Sequence, residues 1–413
     1  MDKIDKIFDS VVENSLFKNK TVLQSNYIPE VILHREEQIE KIASILAPAL
    51  RSEKPSNLFV YGNTGTGKTL SVQHVRNKLL AKSKELGNEN IQVVYVNCKL
   101  GKTSETEYRI LAKIIEELGS KVPSTGLPTT EVYSRFVDLI DKKKQIILIV
   151  LDEIDQAVEK ISDGFIYSLI RQNTELKNAQ ITIIGISNNA TFMDHIDPRV
   201  RSSLGEEEIV FSPYNATQLL DILKKRADQA FSEGALGEGI VEKCAAYAAR
   251  EHGDARRALD LMRVAAELGD RDGGKKITEA HIDAAKEKIE RDKMLDIIEG
   301  EPKQFQLVLY AIMGLDEKKF REKATNKESA GARDRMYTGE VYNSYQGICQ
   351  NLKMEALTQR RVSDILGEFD MLGLINAQEI SKGRYGRTRE IKLMLPSNLK
   401  DRAKEILEKS LEI

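Results

Sequence analysis

Eight residues constrain the fold of this 413-residue chain more than any other feature: Gly62-Asn63-Thr64-Gly65-Thr66-Gly67-Lys68-Thr69. They fit G-x-x-x-x-G-K-[ST] in full, follow the apolar run Asn57-Leu58-Phe59-Val60-Tyr61, and lead into an amphipathic helix beginning near Lys68. Strand, glycine-rich turn and helix in that order open a crossover, and crossovers join parallel strands. Further apolar runs at 92–96, 145–151, 181–186 and 208–211 repeat the theme, with helical patterns between them. Runs of this kind have no polar side, so helices must cover both faces of the sheet. Residues 55–211 are therefore expected to form an α/β domain. The lead-in, residues 1–54, holds Tyr27-Ile28-Pro29 and an amphipathic helix from about Arg35 to Leu50.

The same eight residues carry chemistry. Glycines let backbone N–H groups turn inward around phosphate oxygens, and the helix N-terminus adds a favourable dipole. Lys68 is then expected to reach the β- and γ-phosphates of a nucleotide, with the Thr69 hydroxyl on Mg²⁺. The run at 145–151 ends in Asp152-Glu153, at the carboxyl edge of the sheet where open α/β folds bind ligands. Asp152 would hold the magnesium shell through water, and Glu153 would orient or deprotonate the attacking water. Ser187-Asn188-Asn189 follows the run at 181–186, which makes Asn188 the candidate sensor of the γ-phosphate, although a plain turn residue would be equally at home there.

After Pro213 the strand pattern stops, and helical patterns open behind good caps: Asn215 before 216–231, Asp254 before 255–268, Thr278 before 279–294. Residues 212–295 are expected to be all-helical. Residues 296–413 change again, with helices at 303–313, 339–354 and 359–372, then β-like runs at 374–378 and 390–394 around a polar loop. Helices followed by a hairpin describe a winged helix, an order shared with many small α+β domains. The polar stretch from Asp316 to Arg335 is expected to be a mobile loop.

Charge narrows the partners. Lys+Arg 62 against Asp+Glu 64 leaves a net charge of -2, so any nucleic-acid surface must be a local basic patch. Cys98, Cys244 and Cys349 lie far apart with no ligand spacing, which argues against a disulfide framework or structural zinc and for a reducing compartment. No stretch approaches the roughly 18 uninterrupted apolar residues of a membrane span, so the expectation is a soluble, intracellular protein with no membrane partner.

Beyond the phosphate loop, several segments occur together: Asn26-Tyr27-Ile28-Pro29 with His34-Arg35-Glu36, Leu151-Asp152-Glu153-Ile154-Asp155, and Gly185-Ile186-Ser187-Asn188. They continue with Asp197-Pro198-Arg199-Val200-Arg201-Ser202-Ser203-Leu204, Phe211-Ser212-Pro213-Tyr214 and Gly253-Asp254-Ala255-Arg256-Arg257. With these, nearly the whole chain resembles the AAA+ ATPases, and within them the archaeal replication initiators related to eukaryotic origin recognition complex and cell-division-cycle loader proteins. The resemblance implies an α/β AAA+ P-loop NTPase core, an all-α lid and a C-terminal winged-helix domain. It implies that Arg256 is a second sensor reaching the γ-phosphate from the lid, that Tyr214 and Arg226 meet the nucleotide, and that Ile28 and Pro29 cover the adenine. Arg201 or Arg199 would act as an arginine finger toward a neighbouring subunit, or would merely pair with Glu206 or Glu207. Related clamp loaders place their finger in a Ser-Arg pair, and Ser202-Ser203 here leaves both the finger and a closed ring open.

Two surfaces are candidates for DNA. Thr358 caps a helix whose apolar face is Val362, Ile365, Leu366, Phe369 and Leu372, which leaves Gln359, Arg360, Arg361 and Ser363 exposed near its start, as a recognition helix requires. The following loop, residues 381–389, carries Lys382, Arg384, Arg387 and Arg389 and no acid, a pattern suited to phosphates and to a slim Gly-Arg tip in a minor groove. The second surface is the stretch 121–130 leading into a helix near Glu131, which resembles the extra helix with which such initiators touch DNA; Thr129 and Thr130 would donate to phosphates. The implied function is an ATP-dependent initiator that binds double-stranded DNA at origin repeats, remodels it and helps recruit or load the replicative helicase, with a paralogous initiator as a possible partner. ATP/ADP with Mg²⁺ would serve a weak or slow ATPase acting as a switch. The rivals are a nucleotide-gated transcription regulator and a clamp-loader-like motor.

Overall fold

A strand with no polar side needs a core against each face, and the central strands have both. The computed structural model describes residues 15–99, 106–123, 126–189, 191–204, 206–274, 276–325, 335–381 and 387–413. The chain divides into two units, Met1–Ala285 and Lys286–Ile413. In the first, α1 (Glu36–Leu46) precedes β1 (Asn57–Gly62), and α2 (Lys68–Glu85) follows. Then come β2 (Ile91–Asn97), α3 (Glu107–Glu117), α4 (Thr129–Ile140), β3 (Gln145–Asp152), α5 (Ile154–Ile161), α6 (Gly164–Arg171), β4 (Ala179–Ser187), α7 (Pro198–Leu204) and β5 (Glu206–Phe211). Leu58 and Val60 of β1 join a cluster with Ile42, Val72 and Val75, whereas Phe59 and Tyr61 join another with Ile114, Phe136 and Phe192. Strand β3 divides in the same way, Ile146, Leu148 and Val150 to one cluster and Ile147, Ile149 and Leu151 to the other.

All pairings in this sheet are parallel, in the order β2-β3-β4-β1-β5. Strand β1 thus lies between β4 and β5, far from its sequence neighbour β2. The register pairs Asn97 with Asp152, Asp152 with Ile186, and Tyr61 with Ser187. The carboxyl ends of four strands are therefore level, and the turn after Gly62, the Asp152-Glu153 pair and Asn188 meet at one edge.

The helical remainder of this unit is α8 (Ala216–Ala230), α9 (Ile240–Arg250), α10 (Ala255–Arg271) and α11 (Glu279–Gly300), the last running past the unit boundary. Asn215 and Asp254 cap α8 and α10 as their sequence positions predict; Asn215 forms a capping box with Gln218. Helix α9 escapes the sequence pattern because its buried face, Ile240, Val241, Cys244, Ala245 and Ala248, is mostly small and follows Gly239 rather than a side-chain cap. The start of the described chain straps onto these helices: Leu16 N–H donates to Asp270 Oδ1 at 2.7 Å, and Phe17 stacks on Phe231 at 5.3 Å between ring centroids.

The second unit contains α12 (Lys303–Thr325), β6 (Met336–Tyr337), α13 (Thr338–Asn351), α14 (Gln359–Met371), β7 (Ile375–Ser381), β8 (Arg387–Leu393) and α15 (Ser397–Leu411). The strands form an antiparallel sheet ordered β6-β8-β7, and the helices close over Phe305, Leu309, Tyr345, Phe369 and Ile391. The expected loop from Asp316 is corrected here: α12 continues to Thr325, and residues 326–334 lie outside the described set. Asp316 and Glu317 are held by Lys400 and Lys404 of α15, at 2.5 and 2.9 Å, so charges that read as solvated loop are a helix–helix contact. Strand β6 and helix α15 were not foreseen. Among the described residues no helix is long and apolar enough to cross a membrane, and all three cysteines are buried.

Candidate functional site

The turn between β1 and α2 is held open by glycine for two reasons. Gly65 and Gly67 have φ of +74° and +92°, a region that side chains disfavour. A Cβ at Gly65 would also lie 1.7 Å from Asp254 Oδ1, and one at Gly67 would lie 2.8 Å from the Tyr214 phenol oxygen. Lys68, 5% exposed, donates from Nζ to the carbonyls of Gly62 (2.7 Å) and Asn63 (2.8 Å) and to Asn188 Oδ1 (2.9 Å). Burial lowers its pKa to about 8; Asp152 pulls it back up, and the Arg256 cation pushes it further down. An arriving phosphate would compete with these carbonyls for a cation already aimed at the turn.

Beside it, Asp152 is fixed on both oxygens. Its Oδ2 accepts the Thr69 hydroxyl at 2.9 Å and the Tyr95 phenol at 2.6 Å, while Oδ1 accepts the Glu153 N–H at 3.0 Å. Glu153 stands at φ +55°, a strained backbone for a non-glycine residue, and its carboxylate lies 3.6 Å from Lys99 Nζ. Asn188 N–H donates to buried Asp155 Oδ1 at 3.4 Å, tying the tip of β4 to the start of α5. The structure thus brings Lys68, Thr69, Asp152, Glu153 and Asn188 together. Asn63 and Thr66 shape the turn, Thr66 Oγ1 donating to Asn63 O at 2.8 Å, and Thr64 lies between them in sequence.

The helical part meets this turn directly. Ala255 N–H donates to Gly65 O at 3.2 Å, and the Asp254 carboxylate that would collide with a side chain at Gly65 caps α10 through Arg256 N–H and Arg257 N–H. A cavity of about 560 Å³ opens here, lined from the turn by Gly65 and Lys68, from the strand ends by Asp152 and Asn188, from the lead-in by Ile28 and Pro29, and from the helices by Arg226 and Arg256. Arg226, 7% exposed, lies 4.6 Å over the Tyr27 ring and donates to Val22 O at 3.3 Å.

Sequence reasoning gave no role to two residues of this site. Arg35, 4% exposed, stacks 3.8 Å from the Tyr214 ring centroid and donates to Thr66 O (2.8 Å), Ser212 O (2.6 Å) and His34 O (3.1 Å). Burial lowers its pKa, since neutral carbonyls replace water around it. Tyr95 is the other. Only the β2–β3 register could have flagged it, and a buried arginine at a helix start carries no periodic signal.

The remaining candidates are dispersed. Arg199 pairs with Asp197 at 3.0 Å, and Arg201 with Asp194 at 3.6 Å and Glu208 at 3.7 Å; the Glu206 side chain lies outside the described set. Thr129 and Thr130 form the first turn of α4, two residues earlier than expected, behind Pro128. In the second unit Thr358 caps α14, whose first residues Gln359, Arg360 and Arg361 are exposed, with Ser363 half-buried. Arg361 reaches Asp364 and Glu368, each at 3.9 Å. Arg389 is turned inward, its Nη1 donating to Ser363 O at 2.8 Å, so it ties β8 to α14. Lys382, Arg384 and the side chain of Arg387 lie outside the described residues.

Three stretches of the chain match known domain families: residues 51–191 an AAA domain, 220–287 the Cdc6 AAA+ ATPase-type lid domain, and 296–402 the CDC6 C-terminal winged helix domain. The chain is 51% identical over 395 residues to the ORC1-type DNA replication protein of Thermococcus onnurineus, covering 94% of this chain and 91% of that one. To its namesake in Pyrococcus abyssi it is 50% identical, covering 94% and 90%. Its fold is similar to that of the Aeropyrum pernix ORC1 protein solved in complex with DNA, with a TM-score of 0.81 and 41% identity over 96% of this chain and 98% of that one.

Proposed function

Because this chain belongs to the ORC1-type DNA replication proteins, we propose that it is an ATP-switched initiator that binds duplex DNA at origin repeats, remodels it and helps recruit or load the replicative helicase. The observation that carries the switch is the contact between lid and loop: the N-terminus of α10 hydrogen-bonds Gly65 O, so a change in the phosphate loop is felt at once by the helical part. Nucleotide held there would fix the angle between core and lid, with hydrolysis slow and ADP retained.

In this reading Gly62 to Thr69 cradle the phosphates, Lys68 binds the β- and γ-phosphates, and Arg256 approaches from the lid. Asn188 orients the lytic water that Glu153 activates. Ile28 and Pro29 cover the adenine, and Tyr214 and Arg226 hold the lid against it. The Thr69 hydroxyl and Asp152 carboxylate, 2.9 Å apart, are the hard oxygen donors that suit Mg²⁺, which when bound with nucleotide would neutralise phosphate charge. Arg201, or Arg199, would act toward a neighbouring subunit once released from its acids. Gln359, Arg360, Arg361 and Ser363 would read the major groove, with Lys382, Arg384 and Arg387 on phosphates and Thr129 and Thr130 touching DNA from the core; Arg389, expected on a phosphate with them, is instead taken to brace the wing through its bond to Ser363 O. Residues 1–54, 55–211, 212–295 and 296–413 are taken as lead-in, core, lid and wing, and the protein as cytoplasmic and nucleoid-associated.

Lys68→Ala tests the separation of roles: ATP retention is lost while most DNA affinity of the wing survives, and equal loss of both in a folded variant refutes it. Sequencing the genomic DNA bound to the protein in cells tests the address. Enrichment at a replication start supports the proposal; scatter over promoters would make the chain a transcription regulator.

A further inference from the structure

Strand β2 is one of the two edges of the five-stranded sheet, and one of its side chains reaches the end of its neighbour β3. Tyr95 pairs with Val150 in register, yet its phenol extends along β3 to Asp152 Oδ2 at 2.6 Å. The same oxygen accepts the Thr69 hydroxyl, and the other accepts the Glu153 N–H. A carboxylate at a strand end turns freely about its last torsion; three donors on two oxygens leave Asp152, 5% exposed, one orientation. Without the phenol, Oδ2 keeps a single flexible hydroxyl, and that oxygen is the one facing Thr69.

We infer that Tyr95 is a positioning residue that acts through Asp152, holding the carboxylate where magnesium accompanying a nucleotide would require it. The inference rests on the nucleotide-binding reading above and deepens it. Partners that orient a metal's ligands typically change metal affinity by about 10–100-fold when removed, without touching the metal themselves.

The test compares the wild-type chain and Tyr95→Phe, which keeps the ring and its packing. ADP affinity is measured for each in Mg²⁺ and in EDTA. In Tyr95→Phe the gain in affinity conferred by Mg²⁺ falls by about tenfold, while the EDTA value stays that of the wild type and the melting temperature falls by no more than a few degrees. Titration of Mn²⁺ into the ADP complex, followed by the paramagnetic resonance of free Mn²⁺, shows the same fall directly. An unchanged Mg²⁺ gain, or equal weakening with and without metal, overturns the role of Tyr95. A wild-type chain that binds no ADP overturns the nucleotide reading, and this inference with it.

Discussion

Replacing Arg35 separates two contributions that usually act together. Its guanidinium is buried among carbonyl oxygens and the Tyr214 ring, with hydrogen bonds to Thr66 in the phosphate loop and Ser212 at the exit of β5. In Arg35→Met, three charge-assisted hydrogen bonds of about 1.5–3 kcal/mol each, to Thr66 O, Ser212 O and His34 O, are lost, along with a desolvated cation–π contact of roughly 2 kcal/mol. Against this, the buried cation no longer has to be desolvated, an effect of several kcal/mol per ion on the order of those losses. Burial is the largest influence on the guanidinium and lowers its pKa, which shows that desolvation is not fully offset. Stability is therefore expected to change by no more than about 2 kcal/mol, a melting shift of a few degrees. Nucleotide affinity behaves differently. Freeing the backbone at Thr66 releases about 1–2 kcal/mol of conformational entropy that binding must remove again, so the dissociation constant rises roughly 5–30-fold. Calorimetric melting and ADP titration of the same sample give both numbers. Arg35→Lys, which keeps the charge but not the fork, is expected to track Arg35→Met in affinity. A loss of more than about 4 kcal/mol in stability with ADP affinity intact would show that Arg35 is a core staple with no link to the loop.

Gly65→Ala introduces a left-handed backbone cost of about 1–2 kcal/mol and drives a Cβ into the Asp254 cap, so its loss in melting stability should be less than additive with that of Asp254→Ala; strict additivity would mean that the two residues do not touch. Arg389→Ala removes the tie from β8 to α14 and should lower the stability of the second unit by about 1–2 kcal/mol, whereas Arg360→Ala leaves stability within about 0.5 kcal/mol and reduces the salt slope of DNA binding by about one; the reverse pattern would assign the DNA contact to Arg389. All three thiols are buried, and burial pushes that of Cys244 up to about 12, so a disulfide reagent at pH 8 should find no reactive thiol until guanidinium is added; one fast-reacting thiol in the native protein contradicts the packing.

The five strands, the phosphate loop and the caps Asn215, Asp254 and Thr358 were legible because each is written in consecutive residues: apolar runs, a glycine spacing, a polar side chain ahead of a helical period. Backbone sterics and local periodicity act over a few residues, and a single chain segment carries the whole signal. Helix α15 is a different case. Its lysines turn Asp316 and Glu317 from an apparent loop into helix, across more than eighty positions of chain. Only the tertiary structure decided that β1 sits between β4 and β5, which places Lys68 against Asn188, and that the β2–β3 register carries the Tyr95 phenol to Asp152. The same holds for Arg35, whose partners lie 31 and 177 residues away. Strand neighbours are chosen by which whole surfaces bury one another best, a property of pairs of distant segments that no run of adjacent residues contains.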